Sequence, residues 1–385
     1  VVKGQQMGSS KGRVVSFVFN EFTNDVRVYK QCKSLLESGF EVLVAAVAAA
    51  GLANQEVKDG IKIRRLWISG IPVLPFQLML YWIQCIWLYR KEKILHCNDL
   101  YALPIGAAIK VLSFRKAKLV YDCHEHETEA HVYFGKPILK RIAQFVERSL
   151  IGFADEVICV SQPIARAYSE LYGIREPTLV LNCPELIVEP RKNLFREKFK
   201  ISADTKIVLF QGEYRKGRGL EVLVEGFEKF NDPRVACVFI GYGPETPYIE
   251  EAARRSKNIF IHPTVPSGAH MDYVRSADVG VHLMENTCLN HYYALPNKLF
   301  EYAMAGIPVL VSNMLEMGRL TREHSIGFVL NDNTPDALVE QLKEIAVADL
   351  KVYDQAVDQF RRIYNWETQR QKFVALYQGL IEARA

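Results

Sequence analysis

The residues of the chain best suited to chemistry lie in one segment, Ala294 to Val309, which reads Ala-Leu-Pro-Asn-Lys-Leu-Phe-Glu-Tyr-Ala-Met-Ala-Gly-Ile-Pro-Val. Pro296 suits the first turn of a helix and Gly306 its end. Pro308 to Val311 then reads as a strand. A helix N-terminus offers unpaired backbone N–H groups and a partial positive charge, which together favour phosphate. Lys298, in that first turn, opposes the helix dipole unless an anion is present. Glu301, three residues on, is a carboxylate able to accept hydrogen bonds from two sugar hydroxyls. An ordinary buried helix with a surface Lys and Glu would have the same residues. On physics alone the two readings stand about even.

A second cluster, Arg215, Lys216 and Arg218, lies beside Gly217 and Gly219 between a strand and a helix. Cations placed at diphosphate oxygens stabilise the charge that grows on a leaving group, more in the transition state than in the ground state. Solvated basic turns share this composition, but the position between strand and helix favours a ligand site. His124 follows the strand candidate Ala117 to Cys123, and the carboxyl ends of parallel strands face ligands. His126, Asp99, Glu125 and Glu127 lie in the same region. One of these carboxylates could serve as general base in an inverting reaction. No Asp-x-Asp pair occurs, so the expectation is a diphosphate held without a divalent metal. Asn20-Glu-Phe-Thr23 stands where a nicotinamide enzyme would carry its glycine fingerprint, which argues against that class.

These groups need strands and helices to hold them. Arg13 to Phe19 reads as a buried strand, Asn24 to Ser38 as a helix ended by Gly39, and Glu41 to Ala46 as a second strand. This β-α-β unit implies a parallel sheet with a right-handed crossover. Lys93 to Cys97, Ala117 to Cys123 and Glu156 to Ser161 continue the series. The texture changes to turns and surface charge between Leu179 and Lys200. A second series follows: Lys206 to Gln211, Val235 to Gly241, Ile259 to Ile261, Val279 to Leu283, Pro308 to Ser312 and Gly327 to Leu330. Gly219 to Phe230 is a helix within it, and the tail from Thr334 is helical. The fold class is α/β, with two doubly wound domains in tandem.

Composition fits this. The 385 residues suit two or three domains. With 49% hydrophobic and 24% charged residues the chain is neither disordered nor fibrous. Its net charge of +4, from 48 basic and 44 acidic residues, is too mild for nucleic acid and suits an anionic substrate or surface. The eight cysteines lack metal-ligand spacing and read as reduced core thiols of a cytosolic protein. Gly4 to Gly8 resembles the end of an expression tag, so residues 1–10 are set aside. The apolar stretch Ile68 to Tyr89 carries Gly70, Pro72 and Pro75 and is a poor membrane span.

The segment Pro296-Asn-Lys-Leu-Phe-Glu-Tyr302 resembles the donor-site helix of family 4 glycosyltransferases with the GT-B fold, in their bacterial group-1 form. Asn24-Asp-Val-Arg-Val28, His96-Cys-Asn-Asp-Leu100 and Val120-Tyr-Asp-Cys-His-Glu125 are similar to their first-domain segments. Gly212-Glu-Tyr-Arg-Lys-Gly-Arg-Gly219, Gly241-Tyr-Gly-Pro244, Ala277-Asp-Val-Gly280 and Trp366-Glu367 fit their second domain and closing helix. One departure stands out. The family often has two glutamates with seven residues between them; Glu301 matches the second, and Tyr293 stands at the first. Pro296 stands where the intervening glycine is usual. Glu285, Asn286 and Asn290 are nearby polar residues that could take over.

The resemblance implies two Rossmann-like domains facing across a cleft: an acceptor domain over 11–185, a nucleotide-sugar donor domain over 186–365, and a C-terminal helix, 366–385, crossing back to the first. It implies hinges near Asn182 to Arg191 and before Trp366. His124, Arg218 and Glu301 would be catalytic. Gly212, Arg215, Lys216, Gly241, Gly243, Val265, Tyr293, Asn297 and Lys298 would bind the donor, a UDP- or GDP-sugar, with no metal. Retention is implied, with the leaving phosphate taking the acceptor proton. The acceptor would be a glycan or a lipid-linked molecule in bacterial surface polysaccharide or glycolipid synthesis. Residues 74–91 and 136–148 mix aromatic and basic side chains as interfacial helices do, and suit peripheral contact at the inner face of the cytoplasmic membrane. A core-packed helix is the plainer reading of either alone. A sugar-nucleotide epimerase of the same fold, needing no acceptor, and an inactive nucleotide-sugar-binding subunit are the competing readings.

Overall fold

The computed structural model describes residues 11–68 and 73–382. The tag-like residues 1–10, and Gly70 and Pro72, lie outside them. The chain divides into two compact units, residues 1–181 with 370–385, and residues 182–369. The sequence reading put these limits at 185/186 and 365/366. The few residues of difference have a local reason: the Trp366 amide donates to the Pro184 carbonyl at 2.7 Å, so both stretches join the second unit.

The first unit is built on an eight-stranded sheet. Its strands are β1 (Arg13–Phe17), β2 (Glu41–Val47), β3 (Gln55–Lys58), β4 (Ile61–Leu66), β5 (Ile94–Asn98), β6 (Lys118–Asp122), β7 (Glu156–Cys159) and β8 (Thr178–Leu179). The order is β3-β4-β2-β1-β5-β6-β7-β8. Every pair is parallel except the β3–β4 hairpin. That hairpin escaped the sequence reading because every residue of β3 is exposed, leaving no alternation of apolar and polar residues to detect. The helix after β1 spans Val26–Glu37, and the Asp25 carboxylate caps it by accepting from the Val28 amide at 3.1 Å.

The second unit has six strands, all parallel: β9 (Lys206–Glu213), β10 (Val235–Tyr242), β11 (Ile259–His262), β12 (Val279–His282), β13 (Val309–Ser312) and β14 (Gly327–Leu330). Their order is β11-β10-β9-β12-β13-β14. One face of this sheet packs Phe210, Phe239, Val279 and Val281 against the helices Leu220–Phe230 and Pro335–Val347. The order of connection reverses between β9 and β12, so the carboxyl ends of these two strands open the crevice in which a doubly wound sheet binds its ligand.

The last helix, Trp366–Glu382, starts in the second unit and belongs to the first from Arg370 onward. There Arg370 pairs with Glu37 at 3.0 Å, and the Tyr377 ring packs edge-on against Phe40. Seven of the eight cysteines are buried, and only Cys288 is partly exposed.

Candidate active site

The helix Asn297–Met304 begins at the carboxyl end of the second sheet, with Pro296 at its N-cap rather than inside its first turn. Pro296 is extended, at φ −73° and ψ 146°, and lacks an N–H, so it starts the helix without leaving a further unpaired donor. Lys298 reaches back across the end of β9. A Cβ built on Gly212 would lie 2.5 Å from Lys298 Cε and 2.9 Å from Nζ and would push the ammonium aside, and the φ of +128° itself favours glycine. Gly241 pairs with Gly212 in register, and a Cβ on it would meet the Gly212 carbonyl at 1.8 Å. These two bare positions on neighbouring strands form the floor of the site, with Gly243 just beyond β10.

Arg218 closes the loop after β9 and acts electrostatically on Lys298. Neither side chain makes a hydrogen bond or ion pair among the described residues, and both are only partly exposed. Burial lowers the Lys298 ammonium from its usual range; Glu301 works against this and Arg218 with it. Glu301 is oriented by Gln211, whose Nε2 donates to Glu301 Oε2 at 2.7 Å, with His270 Nε2 at 3.8 Å. Arg215 and Lys216 are exposed, and Arg215 pairs with Glu213 at 2.7 Å. Asn297 is exposed at the helix start, and Val265 lies partly exposed in the loop after β11. Tyr293 ends the short helix Leu289–Tyr293, its ring 5.7 Å from that of Tyr292.

The sequence reading missed His282. It closes β12, is fully buried, and neither ring nitrogen has a hydrogen-bond partner. Burial holds its pKa well below the usual value, and Lys298, Arg218 and His291 push it the same way. The β9–β12 register sets it beside Gln211, whose Oε1 is also buried without a partner. A histidine closing an apolar strand was the available signal.

In the first unit, Asp122 at the end of β6 is buried and accepts from Arg27 Nη2 and Gln31 Nε2, each at 2.6 Å. Burial alone would raise this carboxyl, but Arg27 and His124 hold it well below the usual carboxylate range. His124 Nδ1 lies 3.1 Å from Asp99 Oδ1, and Nε2 lies 3.4 Å from Asp122 Oδ2. Burial opposes charge on this ring, yet Asp99 and Asp122 raise it to about 9, so it is an imidazolium at neutral pH. Asp99 holds a left-handed backbone, φ +61°, directly after β5. His126 turns inward against the Tyr168 ring, and burial lowers it to about 4. Glu127 is buried, with burial first and then Asp99 and Glu125 pushing its carboxyl well above the usual range.

The sequence matches the family model "Glycosyltransferase Family 4" over residues 25–184 and "Glycosyl transferases group 1" over residues 191–356. Sucrose-phosphate synthase from Thermosynechococcus elongatus superposes with a TM-score of 0.79 at 16% identity, covering 97% of this chain and 100% of that one. A glycosyltransferase from Rickettsia africae gives 0.74 at 15%, covering 96% and 98%. Anabaena HepE, solved with UDP-glucose, gives 0.71 at 14%, covering 96% and 100%. No curated protein matches by sequence. The structural likenesses establish the GT-B fold, and the two sequence models, which between them take in every strand from β2 to β14, place the chain in the group 1, family 4 glycosyltransferases.

Proposed function

We propose that the protein moves a hexosyl or N-acetylhexosaminyl group, with retention, from a UDP- or GDP-sugar to a glycan or lipid-linked acceptor. The observation that carries this is Lys298, lying over Gly212 at a helix N-terminus, with Arg218 acting on it and neither cation in a salt bridge among the described residues. A diphosphate would neutralise both and accept from the free amides of the first helical turn. Glu301, steadied by Gln211, would take two hydroxyls of the donor. The second unit is then the donor domain and the first the acceptor domain, with the His124 imidazolium bonding a sugar hydroxyl.

In the reaction the bond from the anomeric carbon to the diphosphate breaks, and the acceptor oxygen bonds to that carbon on the same face. The acceptor proton passes to the departing phosphate oxygen, so no enzymic base is needed. Arg218, Lys298 and the amides at Asn297 supply the charge that a metal would otherwise give, with Arg215 and Lys216 adding a weaker outer field. Among the described residues no helix is long and apolar enough to cross a membrane. The reading is a cytoplasmic enzyme of surface-glycan or glycolipid synthesis that touches the membrane through residues 74–91 and 136–148.

Calorimetric titration with UDP, GDP and their sugars tests the donor assignment. Binding of one base in the micromolar range supports it; no binding by any nucleotide overturns it. Mass analysis of products then separates transfer from epimerisation, because only transfer adds mass to an acceptor. Activity that vanishes with a chelator and returns with magnesium would overturn the charge argument.

A further inference from the structure

The last helix meets the first sheet through one histidine. His96 lies inside β5 and is buried. Its Nδ1 is 2.5 Å from the Tyr377 hydroxyl of the last helix, and its Nε2 is 3.1 Å from Asn98 Oδ1. The Asn98 amide is fixed by what it faces on its other side. Its Nδ2 donates to the Phe17 carbonyl at 3.0 Å and to Ser16 Oγ at 2.9 Å, and a carbonyl can only accept. Oδ1 is therefore the atom turned to His96, and His96 Nε2 must carry a proton to bond it. In a neutral ring Nδ1 then accepts, and Tyr377 is the donor. That hydroxyl keeps its proton, because burial first and then Asp122 raise it well above its usual range.

Asn98 leads on to the site. It stands at the N-cap of the helix Asp99–Leu112, where asparagine is a favoured cap, yet its side chain makes no capping bond. The amide is committed to the sheet and to His96 instead. The next residue, Asp99, holds its left-handed backbone there and lies 3.1 Å from His124 Nδ1. His96 Nε2 also lies 3.7 Å from Asp122 Oδ2, the same oxygen that lies 3.4 Å from His124 Nε2. Both carboxylates that flank His124 thus rest on the protonated side of His96. With the proton on Nδ1, the ring would set a lone pair against Asn98 Oδ1 and against the Asp122 carboxylate, which only accept.

We propose that Tyr377 is a positioning residue for His124: its hydroxyl selects the Nε2–H form of His96, which holds Asn98, and through it Asp99, against the His124 ring. An imidazole has two discrete neutral forms, so the relay contains a two-state element and not mere adjacency. Phe373, one turn before Tyr377, packs edge-on against the same ring at 6.0 Å and offers no hydroxyl to either nitrogen. The effect on turnover rests on the reading that His124 bonds a sugar hydroxyl, but titration of the ring needs neither donor nor acceptor.

Nitrogen-15 NMR of the full chain with labelled histidines reads ring forms and midpoints directly. His96 should show the Nε2–H form in the unaltered protein. Tyr377→Phe removes one oxygen and keeps the ring. It should populate the Nδ1–H form and lower the His124 midpoint by about half a pH unit, or about a threefold loss of proton affinity. The charged groups that act on His124 are Asp99, Asp122 and Arg27, and all three remain in this variant. Phe373→Leu should lower the melting temperature and leave the midpoint in place. Release of nucleotide from the donor should slow several-fold in Tyr377→Phe, with nucleotide affinity unchanged. A proton on Nδ1 of His96 in the unaltered protein overturns the proposal. So does an unmoved or raised His124 midpoint in Tyr377→Phe, or an equal fall in Phe373→Leu. A midpoint that falls while turnover is unchanged would uphold the positioning and overturn the assignment of His124 to a sugar hydroxyl.

Discussion

The carboxyl ends of the two sheets carry similar inventories of charge and treat them in opposite ways. In the first unit the charges answer one another: Arg27 meets Asp122, and Asp122 and Asp99 meet His124. The His124 ring is pushed up as a result. In the second unit Arg218 and Lys298 have no such partners, His282 is buried with both nitrogens bare, and Lys298 and His282 are both pushed down. A network of paired opposite charges fixes geometry. A set of cations left open is a place prepared for an anion, at a cost to the empty protein. The difference marks which sheet end is built around a strongly charged ligand.

If the first network is structural, breaking it should cost most. Asp122→Ala leaves Arg27 buried without its counter-ion, and removing one partner of a buried pair costs about 3–5 kcal/mol. Denaturant unfolding should show a loss of that order, while any nucleotide binding of the folded fraction stays intact. If the second set is open, Arg218→Ala or Lys298→Ala should do the reverse. Each removes a charge-assisted contact worth about 1.5–3 kcal/mol, so nucleotide-diphosphate affinity should fall by about ten- to a hundredfold with little change in melting. A large stability loss in either variant would erase the contrast.

A smaller effect sharpens it. His282→Leu removes buried polar atoms that nothing satisfies, and an unsatisfied group of this kind costs about 1–3 kcal/mol. Unfolding should show unchanged or higher stability, by about 1 kcal/mol, with no gain in diphosphate affinity. Destabilisation would mean that the ring is paired in solution. The mildest test is titration of His124. Its folded pKa lies above the unfolded value, so its contribution to stability is complete below about pH 6.5 and fades as pH rises through about 9. Asp99→Asn should lower the ring's midpoint in a proton NMR titration; an unmoved midpoint would remove Asp99 from the network.

The parts of the fold carried by local pattern were legible in the sequence. The buried runs of β9 and β10, the Pro296 start and Gly306 end of one helix, and the glycines after two strands each announce themselves within a few residues. What depends on distant pairing was not. Arg27 and Asp122 stand 95 residues apart, and nothing near either one names the other. His282 was invisible for a different reason: a lone histidine closing an apolar strand looks like core until its two bare nitrogens are seen. Lys298 was noticed as misplaced for the helix dipole, but that it lies over Gly212 follows only from folding β9 beneath the helix.

The final helix bears on the order in which the molecule can be made. Tyr377 hydrogen-bonds His96 and packs against Phe40, so the middle of the first sheet is completed by residues that follow the whole of the second unit in the chain. The ribosome delivers the strands of the first sheet early, and domains generally fold as they emerge. This one must wait, with the surface around His96 uncovered, until the whole of the second unit has been translated. The second unit has no such debt to later chain beyond Gln369. Arrested nascent chains ending before Phe373 should therefore show a protease-resistant second unit and a first unit that is still cut.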